Sequence, residues 1–387
     1  MKISMIEMVS SHGGMNYYDY GLMNSLVKLG HEVTLYTSSS LNFNIENSGA
    51  NVDLCYEGMF SEKNKFLKLL KYVKGTNEAL RKSKRNGVVI IHFQIFAITL
   101  LETYVVYKCK KMGLKVIVTV HDVESFNKNN KSGLTKYFYN TVDKIIVHNQ
   151  ISYKTLSNYL LNYSNSNNLL SKCNIIPHGS YIGMLPDKIN KTDAKKKFGI
   201  SENTFTFLFF GQIKRVKGLD ILLQAYSNLL QKTDRSVKLI IAGKIWKDDE
   251  SIYSKIIEEN NLGPNLILDI KYIKDEEIVN YYSAADCIVL PYKKIFQSGV
   301  LLMAQSYGIP VIVSDLLGMT EIVTDQENGF VFKSESIDDL ERVLEKVMLC
   351  TDFNKIEKNA YNKLINEYNW DTIAEKQATL MKEMIYE

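Results

Sequence analysis

Short apolar runs rich in valine and isoleucine alternate with longer amphipathic segments along the whole chain. The first run, residues 2–9, leads into Gly13-Gly14 and a helical segment to about Leu29; Gly30-His31 closes it, and a second run covers 32–37. Runs at 88–92, 116–120, 145–147 and 174–176 continue the series. Unbroken apolarity over a few residues is what strands buried on both faces require, and strand–helix alternation predicts a parallel, doubly wound sheet. After Pro177-His178-Gly179 a polar stretch with Pro186 and several lysines reaches about Asn203. The series then starts afresh at 205–210, 237–241, 266–269, 287–290 and 310–313, and residues 370–387 read as a last helix. The expected fold is therefore α/β, with two doubly wound Rossmann-like domains, residues 1–180 and 181–369, facing a central cleft.

Composition changes this picture little. A length of 387 residues suits two domains, and 45% hydrophobic with 23% charged residues excludes disorder, collagen and coiled coil as readings of the whole chain. Five separated cysteines with no CxxC pair exclude a disulfide framework and a zinc ribbon. Glu7 interrupts the first apolar run, which argues against a signal peptide. The most apolar long window, 88–106, carries His92, Gln94, Glu102 and Thr103, and reads as a strand entering a helix rather than a membrane span. A cytoplasmic protein is expected, and nothing points to nucleic acid.

Charge changes it more. The net +4 conceals +9 over residues 1–180 and −5 over the remainder. Much of the excess lies in 62–85, where nine lysines and arginines face Glu62 and Glu78 alone. Phe66, Leu69, Leu70, Val73, Asn77 and Leu80 fall there at helical spacing, and five of the six are apolar. Two readings follow: a surface helix packing this stripe on its own domain, or a basic amphipathic helix lying on an anionic membrane.

The turn after the first strand, Ser11-His12-Gly13-Gly14-Met15, is not GxGxxG, which removes the usual dehydrogenase reading. Walker lysine and GxSxG motifs are absent, and no two aspartates stand as D-x-D, the metal-chelating sugar-nucleotide pattern. Glycines and cations placed just past strands remain. Gly13-Gly14 opens the first helix, Gly211 to Gly218 adds Lys214, Arg215 and Lys217 to a similar turn, and Gln297-Ser298-Gly299-Val300 opens another helix. Backbone N–H groups at such helix starts meet anions, and two pockets with a cation cluster in one domain suit a diphosphate.

These residues resemble a GT-B fold glycosyltransferase, most similar to the retaining family 4. The resemblance runs through Gly30-His31-Glu32-Val33, His92-Phe93-Gln94, Thr119-Val120-His121-Asp122, Ile176-Pro177-His178-Gly179, Phe209-Phe210-Gly211, Ala284-Ala285-Asp286, Tyr307-Gly308-Ile309-Pro310 and Glu327-Asn328-Gly329-Phe330. It implies transfer of a sugar, a hexose in the first instance, from a nucleotide-diphosphate-sugar with retention, in surface polysaccharide or glycan assembly. It further implies an acceptor side in the first domain, a donor side in the second, and a final helix returning toward the first. No cofactor or metal is expected, the nucleotide-sugar being a co-substrate, and the acceptor is a saccharide or a lipid-linked saccharide. The enzyme would then work in the cytoplasm, peripheral at the inner face of the plasma membrane.

By the same resemblance Lys217 and Lys214, with Arg215 as an alternative to Lys214, hold the departing diphosphate. Gly13, Gly14, Gly211, Gln297, Ser298, Gly299 and Val300 line the donor. His121 contacts a sugar hydroxyl with Asp122 orienting its ring, and His178 is either a site residue or a linker residue. The chain departs from the family where two glutamates usually stand eight positions apart, for Ile295 and Met303 occupy those places. A branch reading Gln-Ser-Gly-Val would let Gln297 and Ser298 replace the carboxylate with neutral hydrogen bonds. The alternative is a noncatalytic partner subunit that binds glycan or stabilises a sister transferase.

Overall fold

The computed structural model describes residues 1–8, 14–39, 41, 43, 49–123, 132–163 and 165–386. They form two compact units, Met1–Gly179 with Tyr368–Glu387, and Ser180–Glu367. Each is a parallel sheet flanked by helices. The first sheet contains β1 (Lys2–Ile6), β2 (Glu32–Tyr36), β3 (Asn51–Asp53), β4 (Ile90–Ile95), β5 (Lys115–Val120), β6 (Lys144–Val147) and β7 (Cys173–Ile175), in the order β3-β2-β1-β4-β5-β6-β7. The second contains β8 (Phe205–Phe210), β9 (Val237–Ala242), β10 (Leu266–Asp269), β11 (Cys287–Leu290), β12 (Val311–Ser314) and β13 (Phe330–Phe332), in the order β10-β9-β8-β11-β12-β13. Strands β3 and β13 are absent from the sequence-based expectation. The others match it to within three residues at either end.

In both sheets the winding reverses beside the first strand, between β1 and β4 and between β8 and β11. Loops leaving the carboxyl ends of those neighbours diverge to opposite faces and leave a crevice, the usual ligand position in this architecture. A left-handed glycine stands at the corresponding helix start in each unit. Gly14 (φ 91°) opens α1 (Met15–Lys28), and Gly218 (φ 69°) opens the helix Leu219–Lys232. A side chain is disfavoured at such φ, and a Cβ on Gly218 would stand 1.8 Å from the Pro291 carbonyl oxygen.

The basic segment forms α2 (Lys65–Arg85), capped by the Asn64 side chain accepting from Phe66 and Leu67 N–H. Its buried face is Tyr72, Gly75, Thr76, Ala79, Leu80 and Ser83. The apolar stripe read from spacing is buried only at Leu80; Phe66 is 65% exposed, Leu70 48% and Leu69 41%. Packing of that stripe on its own domain is thus corrected for the first two turns. Small residues, not large apolar ones, mark the contact face, because they admit Tyr56 and the 55–56 backbone closely. No helix among the described residues is long and apolar enough to cross a membrane.

The last helix, Trp370–Tyr386, lies on α1. Ser25 donates to Asp371 Oδ1 at 2.6 Å, and the Trp370 ring meets Tyr18 edge-on at 5.1 Å. Three imidazoles are sunk nearby: His92 inside β4, and His148 and His178, which pack on Tyr18, just past β6 and β7. His92 Nε2 lies 2.7 Å from Thr119 Oγ1, His148 Nδ1 donates to the Ile176 carbonyl at 3.0 Å, and His178 Nδ1 to that of Gly179 at 2.7 Å. Burial pushes their pKa values down, to about 3 for His92 and His178 and about 4 for His148.

Two outcomes are expected. Gly75→Ala gains about 1 kcal/mol of helix propensity. Its Cβ would nonetheless stand 2.5 Å from the Cys55 carbonyl oxygen, so overpacking wins and urea unfolding shows a net loss of about 1–2 kcal/mol. These three imidazoles and that of His121 have folded pKa values below the unfolded value, so their contribution is present above about pH 6.5 and lost as pH falls toward 4. The buried carboxyl of Asp19, raised by burial and by Glu7, opposes this with the opposite sign. Urea unfolding is expected to show a net loss of about 3 kcal/mol between pH 7 and 5.5.

Candidate functional site

In the second unit the loops after β8 and β11 meet at the winding reversal. A Cβ on Gly211 would stand 3.3 Å from Val300 Cγ2, so the glycine turn and the start of the helix Gly299–Ser306 abut. Ser298 caps that helix by accepting from Leu301 N–H at 3.2 Å. A second glycine contact ties in β9: a Cβ on Gly243 would stand 1.8 Å from the Gly211 carbonyl oxygen. Past Gly211 the chain makes a single 3-10 turn, Arg215–Lys217, with Lys217 N–H donating to the Lys214 carbonyl at 2.7 Å.

The cations of this turn are not equivalent. The Lys217 ammonium sits 3.7 Å over the centroid of the Tyr292 ring, whose negative face attracts it. Arg215 is 3.7 Å from Asp220 Oδ2, an oxygen already taken by Lys293 at 2.7 Å. Tyr292, Lys293 and Asp220 therefore shape the cation cluster. The two missing-glutamate positions differ: Met303 is buried in its helix, while Ile295 is half-buried in the loop before it.

In the first unit the crevice lies between the ends of β1 and β4. Gly14 is at its edge; Gly13 and His12 lie outside the described residues. His121, just past β5, is held at both ring nitrogens. Nε2 is 2.7 Å from Gln94 Oε1 and Nδ1 is 3.3 Å from His148 Nε2. Gln94 Nε2 in turn lies 2.5 Å from Oδ1 of Asp19 on α1. Phe96 stacks on the His121 ring at 5.0 Å and Tyr18 meets it edge-on at 4.9 Å. Burial, then the neighbouring His148, His178 and His92, hold His121 well below the usual imidazole range. The expectation that Asp122 orients this ring is corrected, since Gln94 and His148 take its nitrogens. His178 is buried, with its Nδ1 on the Gly179 carbonyl.

A spacing signal for these partners existed. Gln94, His121 and His148 are 27 residues apart in succession, as are His92 and Thr119. Cα partners on β4–β5, β5–β6 and β6–β7 are 25, 27 and 28 residues apart, so residues 27 apart fall side by side within two residues of register.

Next to this row is a cavity of about 400 Å³ lined by Met8, Met59, Tyr72, Phe93, Ile95 and Leu101 among others, with Lys65 and Lys68 also on its wall. Lys68 lies 4.9 Å over the Phe60 ring. Neither lysine is in an ion pair among the described residues, whereas Lys71 is bound to Glu62 at 3.2 Å. One cluster with metal-ligand chemistry stands elsewhere among the described residues, Asp53, Cys55 and Glu78. The Lys82 ammonium already occupies it, 2.7 Å from Asp53 and 2.9 Å from Glu78.

Residues 190–363 match the family model described as glycosyl transferases group 1, and residues 12–165 match glycosyltransferase family 4. The chain is 29% identical over 202 residues to an Escherichia coli UDP-Gal:alpha-D-GlcNAc-diphosphoundecaprenol alpha-1,3-galactosyltransferase, covering 51% of each chain. It is 28% identical over 222 residues to a glycogen synthase of a Marinomonas species, covering 55% of this chain and 45% of the relative. These matches span about half the length of the curated relatives. In fold it is similar to Anabaena Alr3699/HepE, solved in complex with UDP and glucose, with TM-score 0.74, 16% identity, and coverage of 99% of this chain and 100% of that one. Two family models in series, over two parallel sheets wound in the same order, make the chain a family 4-like glycosyltransferase of the GT-B fold.

Proposed function

We propose that the chain transfers a hexosyl group from a nucleoside-diphosphate-sugar, with retention, to a lipid-linked saccharide during polysaccharide or glycan assembly. The observation that carries this reading is the crowding of the Gly211 turn, Lys217 and the helix start at Gly299 into one crevice of the second unit. Cations and N–H groups held there are suited to the charge that develops on a departing diphosphate, and they need no reorganisation as the bond breaks. The anomeric C–O bond to the diphosphate breaks while the acceptor oxygen attacks from the same face, its proton passing to the departing phosphate oxygen. Lys214 and Lys217 hold that leaving group. Arg215 is the weaker candidate, being drawn to Asp220. Gln297 and Ser298 bond the sugar or phosphate in place of a carboxylate, and His121 meets a sugar hydroxyl.

No metal enters this scheme, because the lysines and the helix start neutralise the diphosphate. A uridine nucleotide is the first candidate, since the Anabaena neighbour is bound to UDP and the E. coli relative is named for a UDP-sugar. The lipid-linked acceptor is supported by the apolar cavity beside His121, whose wall carries Lys65 and Lys68, neither in an ion pair among the described residues, along with Glu7 and Glu102; the apolar lining suits a hydrocarbon chain and the lysines its phosphate. Exposed Phe60, Phe66, Leu67, Leu69 and Leu70 among lysines would lay the first turns of α2 on an anionic membrane surface.

Lys217→Ala is expected to lower donor turnover at least about 100-fold with the melting temperature unchanged. Unaltered turnover sinks the diphosphate assignment. UDP should raise the wild-type melting temperature and do so less in the variant. A subunit that only binds glycan would show no nucleotide release with any donor. Changing Lys65, Lys68 and Lys74 together to glutamate should release the protein from phosphatidylglycerol vesicles. A wild type that never sediments with such vesicles removes the membrane reading.

A further inference from the structure

The hydrogen bonds along Asp19, Gln94, His121 and His148 constrain where the protons are. The Ile176 carbonyl can only accept, so His148 Nδ1, 3.0 Å away, carries a proton. If that ring is neutral, its Nε2 holds a lone pair directed at His121 Nδ1, 3.3 Å off. A hydrogen bond between two neutral rings then requires the His121 proton on Nδ1 and a lone pair on Nε2. The Gln94 amide, 2.7 Å from that lone pair, must offer it N–H and turn its oxygen toward Asp19. A half-turn about the last side-chain bond exchanges the two ends of the amide and leaves the heavy-atom positions as they are. Two oxygens facing each other at hydrogen-bond distance at Asp19 repel unless a proton lies between them.

With the amide in the opposite orientation its oxygen faces His121, whose proton must then be on Nε2. A second proton is needed between the two rings, which makes an imidazolium beside an ionised Asp19. Both arrangements hold the same number of protons and differ in charge separation. Separated charges are unfavourable here. Asp19 is fully buried, has no ion-pair partner among the described residues and lies against the carboxyl of Glu7. The groups around it and its chain are Glu7 past β1, Tyr18 on α1, His92 and Gln94 on β4, His121, His148 and His178 at the following strand ends, and Gln377 with Trp370 from the last helix. Only Glu7 among these is acidic, and a like charge disfavours ionisation of Asp19.

We propose that Asp19 carries a proton in the native protein and that Gln94, accepting it, is the positioning residue that holds His121 neutral with its own proton on Nδ1. Burial and Glu7 push Asp19 well above the usual carboxylate range, and burial holds His121 well below the imidazole range, in the same sense. The consequence for transfer rests on the function proposed above: a sugar hydroxyl that displaces the Gln94 amide from His121 Nε2 donates to that nitrogen rather than accepting from it.

The proton is placed without substrate by long-range 1H–15N correlation on histidine-labelled protein at pH 7, with His121 identified by the signals missing from His121→Gln. Protonated Nδ1 with bare Nε2 is expected; a proton on Nε2, or on both nitrogens, overturns the proposal. Asp19→Asn supplies an amide N–H to Gln94 where the acid supplies O–H. A folded pKa above the unfolded one adds stability that is full below the unfolded pKa and lost as pH rises. The variant should therefore melt about 3 °C or more above wild type at pH 8, with the gain shrinking toward pH 5. An equal loss at both pH values overturns it. Gln94→Met should mix the two His121 tautomers and lower kcat at least tenfold. Mixed tautomers with unchanged kcat remove the role in transfer, and activity absent from wild type itself would sink the proposed function while leaving the spectra to decide the proton.

Discussion

A parallel sheet covered on both faces leaves polar chemistry only one place to collect, the carboxyl ends of its strands. Backbone hydrogen bonds fill the sheet plane, and Val and Ile fill both faces, as in β11 and β12, where every residue is buried. Whatever meets a ligand must stand in a loop just past a strand, and the widest opening lies where the winding reverses. This one constraint accounts for Gly14 and His121 in the first unit and for Gly211, Lys217 and Ser298 in the second. It also explains why the same architecture is built twice along the chain with different residues at its two edges. One unit carries imidazoles and an apolar cavity, the other carries cations and helix starts.

Legibility in the sequence follows from the same constraint. Strands β8 and β11 were readable to the residue because a strand buried on both faces has an unmistakable composition. Strands β3 and β13 were not, being three residues long at sheet edges, where short length removes the pattern. The α2 contact face was misread because helical periodicity weighs large apolar residues, whereas the packed face is Gly75, Thr76, Ala79 and Ser83 beside Tyr72 and Leu80. Within the site, the cations and the glycine turns were legible as residue types past strands. Their partners were not, because Tyr292 under Lys217 and Lys293 on Asp220 join segments more than seventy residues apart.

The buried row in the first unit shows how a polar network survives in an apolar setting. Each imidazole has a hydrogen-bond partner, and neighbouring aromatic rings enclose Tyr18 from several sides. A network so enclosed fixes the identity of each proton, since a donor facing a donor has no water to turn to. The basic front of α2 is the opposite case. There the apolar side chains of the first two turns face outward, and among the described residues Lys71 but neither Lys65 nor Lys68 makes an ion pair.

The helix Trp370–Tyr386 has a consequence for how the molecule is made. It completes a unit whose other residues end at Gly179, and its Trp370 indole covers both Tyr18 and that glycine. During synthesis the first 179 residues emerge long before the helix that covers α1. Residues 180–367 are contiguous and can close as soon as they leave the ribosome. The portion translated first is therefore finished last, and in the interval its α1 surface stands open to chaperones.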